Sequence, residues 1–182
     1  MFSTSEALDA GLADIRLSPK DHGTVCKIVC RPTINERREL AEAQLATDVG
    51  LVGDNWLQRG YRKTTNGLAH PDMQLNLMNA RAIALIAQNP QRWQLAGDQF
   101  YVDLDLSPDN LPVGSQLQIG DAVIVVTAEP HLGCHKFMER FGRDAAQWVN
   151  SEVGKSLNLR GINARVLKAG NVSVGSGISK LG

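Results

Sequence analysis

The sequence predicts a mainly β domain, a Greek-key or barrel-like fold with a few peripheral helices. Two patterns carry this expectation. Short apolar segments of strand length are separated by Gly-Asp and Gly-Asn turns, and strands and helices do not alternate in the regular way a doubly wound parallel sheet requires. Composition agrees: 17 Gly and only 5% aromatic residues imply many turns and a core of Val, Ile, Leu and Ala. With 182 residues, 43% of them hydrophobic, one domain can bury roughly 70% of its unfolded surface without disulfide or metal staples.

Each element follows from its local pattern. Residues 1–21 hold Leu8, Leu12 and Ile15 at helical spacing and predict a short helix or arm ahead of the main body, residues 22–175. The β-branched and small residues of 24–31, stopped by Pro32, predict the first strand. The charged, Ala/Leu-rich 36–46 reads as a short helix, 59–71 as a long polar loop, and 78–88 as a helix ended by Pro90. Alternation of Phe100, Val102, Leu104 and Leu106 with polar residues gives a strand with one buried face. Residues 117–119 and 122–127 flank Gly120-Asp121 as a hairpin whose glycine takes positive φ. From about 136 to 151 a helix presents Phe137, Phe141, Ala145, Trp148 and Val149 as one apolar stripe. Segments 161–168 and 172–174 read as a second hairpin, and 176–182 as a frayed tail.

The charge balance narrows the function classes. Nineteen Lys+Arg against nineteen Asp+Glu leave no net charge, which weighs against nucleic acid or an anionic membrane surface as partner but leaves room for a local basic pocket and a small-molecule ligand. The start, Met1, Phe2, Ser3, Thr4, Ser5, Glu6, has neither the basic nor the apolar part of a secretory signal, and no run reaches bilayer length, so a cytoplasmic protein is expected. Three cysteines leave at least one thiol free. Cys26 and Cys30, four apart on a strand, would share one face at a distance no disulfide spans, as small buried core residues.

The stretch Glu129-Pro130-His131-Leu132-Gly133-Cys134-His135-Lys136 is the most suggestive chemically, because it joins the strongest strand to a helix. Gly133 leaves Cys134 unshielded, and the helix start with Lys136, Arg140 and Arg143 supplies the positive potential that favours a nucleophilic thiolate. His131 and His135 flank the cysteine, but a structural zinc site needs four ligands and no second Cys/His pair has suitable spacing. In a hydrolytic dyad the base would be His70 or His131, since adjacent residues such as Cys134 and His135 point apart. The loop with Arg59, Arg62, Lys63, Thr64, Thr65, Asn66 and Gly67 offers the guanidinium, hydroxyl and backbone donors that a phosphate or other oxyanion requires. Gly53-Asp54, Gly97-Asp98 and Gly120-Asp121 read as turns rather than catalytic carboxylates.

Several short segments, taken in order, carry a family likeness. They are Val49-Gly50-Leu51-Val52-Gly53-Asp54; His70-Pro71-Asp72; Leu111-Pro112-Val113-Gly114 with Ile119-Gly120-Asp121-Ala122; Cys134-His135-Lys136-Phe137 with Arg140-Phe141-Gly142; and Arg160-Gly161-Ile162-Asn163-Ala164-Arg165-Val166 with Gly170-Asn171-Val172. Together they resemble the MOSC domain, the C-terminal domain of molybdenum-cofactor sulfurases, which also occurs alone. The likeness implies a β-barrel with an exposed cysteine, Cys134, as sulfur carrier or metal ligand, and His70, Asp72, Arg31, Arg38, Asp54 and Arg160 as pocket groups. It implies association with molybdenum cofactor in one of two roles. Sulfane sulfur would pass from a pyridoxal-phosphate cysteine desulfurase to metal-sulfur centres or a molybdoenzyme partner, or the bound cofactor would reduce N-hydroxylated compounds. No lysine stands in a Schiff-base setting, so pyridoxal phosphate would belong to the partner enzyme. The chain departs from the family with Gly133 where Pro commonly precedes the cysteine, and with Met73 where Arg often follows the Asp. A different class of function is a barrel whose mouth holds a small anion without catalysis.

Overall fold

The computed structural model describes residues 2–61 and 63–182; Met1 and Arg62, the latter part of the predicted basic loop, lie outside the described residues. Two helices, α1 (Ser5–Ala10) and α2 (Leu12–Ile15), precede β1 (Gly23–Cys30). Then come β2 (Arg38–Leu40), β3 (Glu42–Ala46), β4 (Gly50–Leu51), α3 (Trp56–Arg59), β5 (Leu75–Asn79), α4 (Ala80–Ala87) and β6 (Phe100–Asp103). The second half holds β7 (Gln116–Ile119), β8 (Ala122–Val126), α5 (His135–Phe141), α6 (Arg143–Asn150), α7 (Glu152–Ser156), β9 (Ile162–Lys168), β10 (Gly170–Ser173) and β11 (Gly177–Lys180).

Among the described residues, seven strands close into a barrel in the order β11-β7-β8-β9-β5-β6-β1, with β1 returning to β11; β2 extends β1, and β10-β3-β4 form a separate three-stranded sheet. The pair β5–β6 runs parallel, and the other pairs run antiparallel. The barrel is filled by Val25, Ile28, Leu77, Phe100, Val102, Ile124, Ala164 and Ile178 with their neighbours. A second core lies outside it, where Val29, Met78 and Tyr101 turn outward to meet Leu8, Ile83, Phe137, Phe141, Ala145 and Trp148 of the helices. No helix among the described residues is long and apolar enough to cross a membrane.

Several local expectations are corrected. The predicted helix over 36–46 is instead β2 and β3: Ala43 and Leu45 point inward between exposed Glu42 and Gln44, and pairing to β10 and β4 overrides the helical propensity of Glu, Ala and Leu. Residues 162–173 are not a hairpin, because β10 leaves β9 to pair with β3. The predicted helix at 78–88 begins later, with Met78 still in β5 and the Asn79 side chain accepting from the Ala82 N–H at 3.0 Å as cap. The long helix at 136–151 is broken into α5 and α6 at Gly142, whose φ of +90° suits glycine. Strand β6 is buried on both faces, since Tyr101 enters the outer core. A register shift between Val25 and Lys27 places Cys26 in a bulge, so it is half-buried and does not share the face of buried Cys30.

The expected tail is the closing strand. Ile178 pairs with Gly23 on one side and Ile119 on the other and is fully buried. Replacing Ile178 with Ala removes a buried side chain from the barrel and is expected to cost about 2–5 kcal/mol of unfolding free energy, measured by urea titration. A loss below about 0.5 kcal/mol, the level of a surface change, would contradict closure by β11.

Candidate functional site

Beside the barrel, the segments after β1 and around α3 meet the start of α5 and enclose a cavity of about 620 Å³. Its lining includes Arg31, Arg37, Arg59, Lys63 and Lys136, with Asn35, Asn55 and Tyr61 among the neutral polar groups. No carboxylate among the described residues lines it. Arg31, at the end of β1, is buried and grips Asp54 from behind the cavity wall, Nε to Oδ2 at 2.8 Å and Nη2 to Oδ1 at 2.9 Å. Its Nη1 donates to Asn76 Oδ1 and to the Gly97 carbonyl, both at 2.9 Å. Every arm of this guanidinium is therefore committed, and Arg31 offers the cavity a rigid face rather than a mobile one.

The other cations are less compensated. Arg37 Nε is buried without a hydrogen-bond partner among the described residues, while Nη1 donates to the Glu36 carbonyl. Burial first, then the like charges of Arg140 and Arg31, pulls the Arg37 guanidinium below its ordinary value; Arg59 is lowered in the same way by burial and by Arg31 and Arg37. Crowded guanidinium groups that depress one another lower their energy when an anion enters. Lys63 and Arg59 come from the predicted oxyanion loop, and Lys136 from the cysteine-bearing segment. Sequence reasoning missed Arg37 and named Arg38 instead. Arg38 lies outside this cavity, 63% exposed in its side chain and paired to Glu36 at 3.1 Å, because adjacent residues of an extended chain point to opposite sides.

Cys134 is exposed and free and is the N-cap of α5, two positions before Lys136; Lys136 lines the cavity and Cys134 itself does not. Its carbonyl accepts from the Phe137 and Met138 N–H groups at 3.0 Å each. The flanking histidines diverge: His135 is exposed and 3.2 Å from Glu139, whereas His131 turns inward, its Nδ1 3.4 Å from Asp98 Oδ1 but without a hydrogen bond to it. Neither a shared metal nor a dyad with Cys134 follows from that geometry. Arg160 is buried against Asp98, Nη1 reaching Oδ2 at 2.7 Å, and its guanidinium lies 4.9 Å from the Phe137 ring. It therefore packs against α5 and lines a different cavity, about 320 Å³, together with Pro130, His131 and Leu132.

His70 and Asp72 form a separate corner. The Asp72 N–H donates to His70 Nδ1 at 3.2 Å, so a neutral His70 carries its proton on Nε2, 3.6 Å from Glu129. Asp72 lies 3.4 Å from Arg165, and the His70 ring meets Tyr61 of the cavity wall edge-on at 6.1 Å. Of the predicted pocket groups, then, Arg31 lines the cation-rich cavity and Asp54 backs it, while His70 meets Tyr61 of its wall and Asp72 contacts His70 and Arg165.

Two measurements test these contacts. Asp54→Ala strips Arg31 of its buried counter-charge and is expected to cost about 3–5 kcal/mol of stability by denaturant titration; a change under about 1 kcal/mol would refute the pairing. Burial first, then Arg160 and Arg31, holds the His131 imidazole well below its ordinary value, so the folded form refuses a proton that the unfolded chain accepts below about pH 6.5. Stability attributable to His131 is intact above that pH and falls by up to about 1.4 kcal/mol per pH unit beneath it. Unfolding of His131→Gln between pH 7 and 5.5 should therefore show a shallower decline than the parent; equal slopes would contradict the assignment.

Comparison with known proteins agrees with this architecture. A solved structure described as a hypothetical protein superposes with a TM-score of 0.62 at 20% identity, covering 90% of this chain and 70% of that one. The YUAD protein from Bacillus subtilis gives 0.59 at 16% identity over 86% and 93% of the two chains, and YiiM from Escherichia coli gives 0.55 at 21% over 87% and 70%. In sequence, the chain is 32% identical over 99 residues to a protein of Gibberella moniliformis (strain M3125 / FGSC 7600) named "Reductase", which spans 52% of this chain and 17% of that much longer relative. The family model of the MOSC domain matches residues 64–179, from the cavity loop through Cys134 into the closing strand. The chain belongs to the MOSC domain family.

Proposed function

We propose that this protein holds a molybdenum cofactor, with Cys134 as its sulfur ligand and the cationic cavity as the seat of its anionic part, and acts as a reductase of N-hydroxylated compounds. One observation carries the reading: an exposed, unpaired thiol opens the helix whose Lys136 joins Arg31, Arg37, Arg59 and Lys63 around one cavity. The donor set fits the group. Molybdenum accepts soft sulfur ligands, and the unpartnered Arg37 Nε and crowded cations suit a phosphate. When bound, the cofactor supplies the two-electron chemistry. The chain's own part is to anchor: Arg31, locked by Asp54, fixes one wall, Arg37 and Arg59 neutralise the anion, and Lys136 ties the cavity to the cysteine. The relative named "Reductase" supports the same direction.

A second reading has its own support. Cys134 is open to solvent, where a thiolate can attack the persulfide of a docked desulfurase, take its outer sulfur and release the donor thiolate, then pass that sulfur to a metal-sulfur centre of a molybdoenzyme.

Elemental analysis of protein expressed with molybdate separates the two. Molybdenum is expected to co-purify, to vanish in Cys134→Ser, and to be held about ten- to a hundredfold more weakly in Arg37→Ala, which loses one charge-assisted contact. Metal-free protein that instead gains about 32 Da on Cys134 from a desulfurase and cysteine would establish the carrier reading. Neither metal nor adduct would leave both wrong.

A further inference from the structure

We infer that Asn150 is a positioning residue for Cys134, fixing the direction of the thiol at the start of the helix whose Lys136 lines the cationic cavity; this rests on the reading that Cys134 works together with that cavity. The last residue of α6 extends its amide to the residue just before the cysteine and bonds both sides of its backbone. The Gly133 N–H donates to Asn150 Oδ1 at 2.9 Å, and Asn150 Nδ2 donates to the Gly133 carbonyl at 2.9 Å. The approach is close: a Cβ on Gly133 would lie 2.8 Å from Val149 Cγ2 and 3.1 Å from Asn150 Nδ2, so a larger residue would push the two segments apart. On the other side Cys134 is fixed by its carbonyl bonds to α5, which is itself anchored by buried Phe137 and Phe141. The thiol is thus free to meet reagents while its backbone is held at both ends. Without the amide clamp, nothing described binds the backbone polar groups of Gly133, and the Cα–Cβ direction at Cys134 loses one of its two supports. An exposed side chain of this kind gains reactivity from direction rather than from burial, as binding geometry does elsewhere.

Alkylation of Cys134 by iodoacetate and by iodoacetamide, followed by peptide mass spectrometry, reads the aim directly. Cations at the cavity should give the anionic reagent an advantage of about tenfold over the neutral one, relative to the same ratio for a small free thiol, and inorganic phosphate should suppress it. In Asn150→Ala the advantage should fall close to unity while the iodoacetamide rate is unchanged or raised, with a native circular dichroism spectrum. Gly133→Ala should do the same by forcing the two segments apart, and it decides the matter if Asn150→Ala does not fold. A folded Asn150→Ala that keeps the full advantage overturns the positioning role and leaves the cavity reading intact. Parent protein with no anionic advantage overturns the placement of Cys134 at the cavity, and the inference with it.

Discussion

The buried grip of Arg31 on Asp54 is the constraint on which the site depends. A guanidinium at the end of β1 is satisfied on every arm by Asp54, Asn76 and Gly97, residues that come from three distant parts of the chain. Such a pair is a doubtful source of net stability, since two charges must leave water to form it. What it fixes is position. The barrel end, the turn before α3 and the loop before β6 converge at one point, and the cavity has a wall because they do.

Around that point the helices play a supporting part. Phe137 and Phe141 belong to the outer core that the barrel shares with α4 and α6, and Arg160 stacks beneath Phe137 while held by Asp98. Asp98 is shifted up by its burial and eased back by Arg160, so each group limits the other's cost. The cysteine-bearing helix therefore inherits its orientation from packing, while the cavity that its Lys136 lines draws its other cations from the segments after β1 and around α3.

The legible and illegible parts of the sequence divide along that line. Cys134 could be found because its signals are local: a strand, a bend, a glycine, a helix start. The hairpin around Gly120 was legible for the same reason, its φ of +53° matching the turn that its residues require. Arg37 was not legible, because its value depends on Arg59 and Lys136 arriving from elsewhere. The stretch 36–46 reads as helix by propensity, yet the partners that make it strand lie at 50–51 and 170–173. The seven residues after 175 carry little apolar content, and only Ile178, flanked by β1 and β7, makes them a barrel strand.

The bulge at Cys26 and the deep seat of Cys30 sort the three sulfurs by accessibility. Burial raises both of these thiols above their ordinary range, Cys30 further through nearby Asp54, whereas Cys134 stands in the open. A maleimide dye or spin label applied briefly at neutral pH thus reaches Cys134 first, ahead of half-buried Cys26 and buried Cys30. Such a tag would sit two residues from Lys136, a built-in reporter of whatever molecule fills the cavity that Lys136 lines.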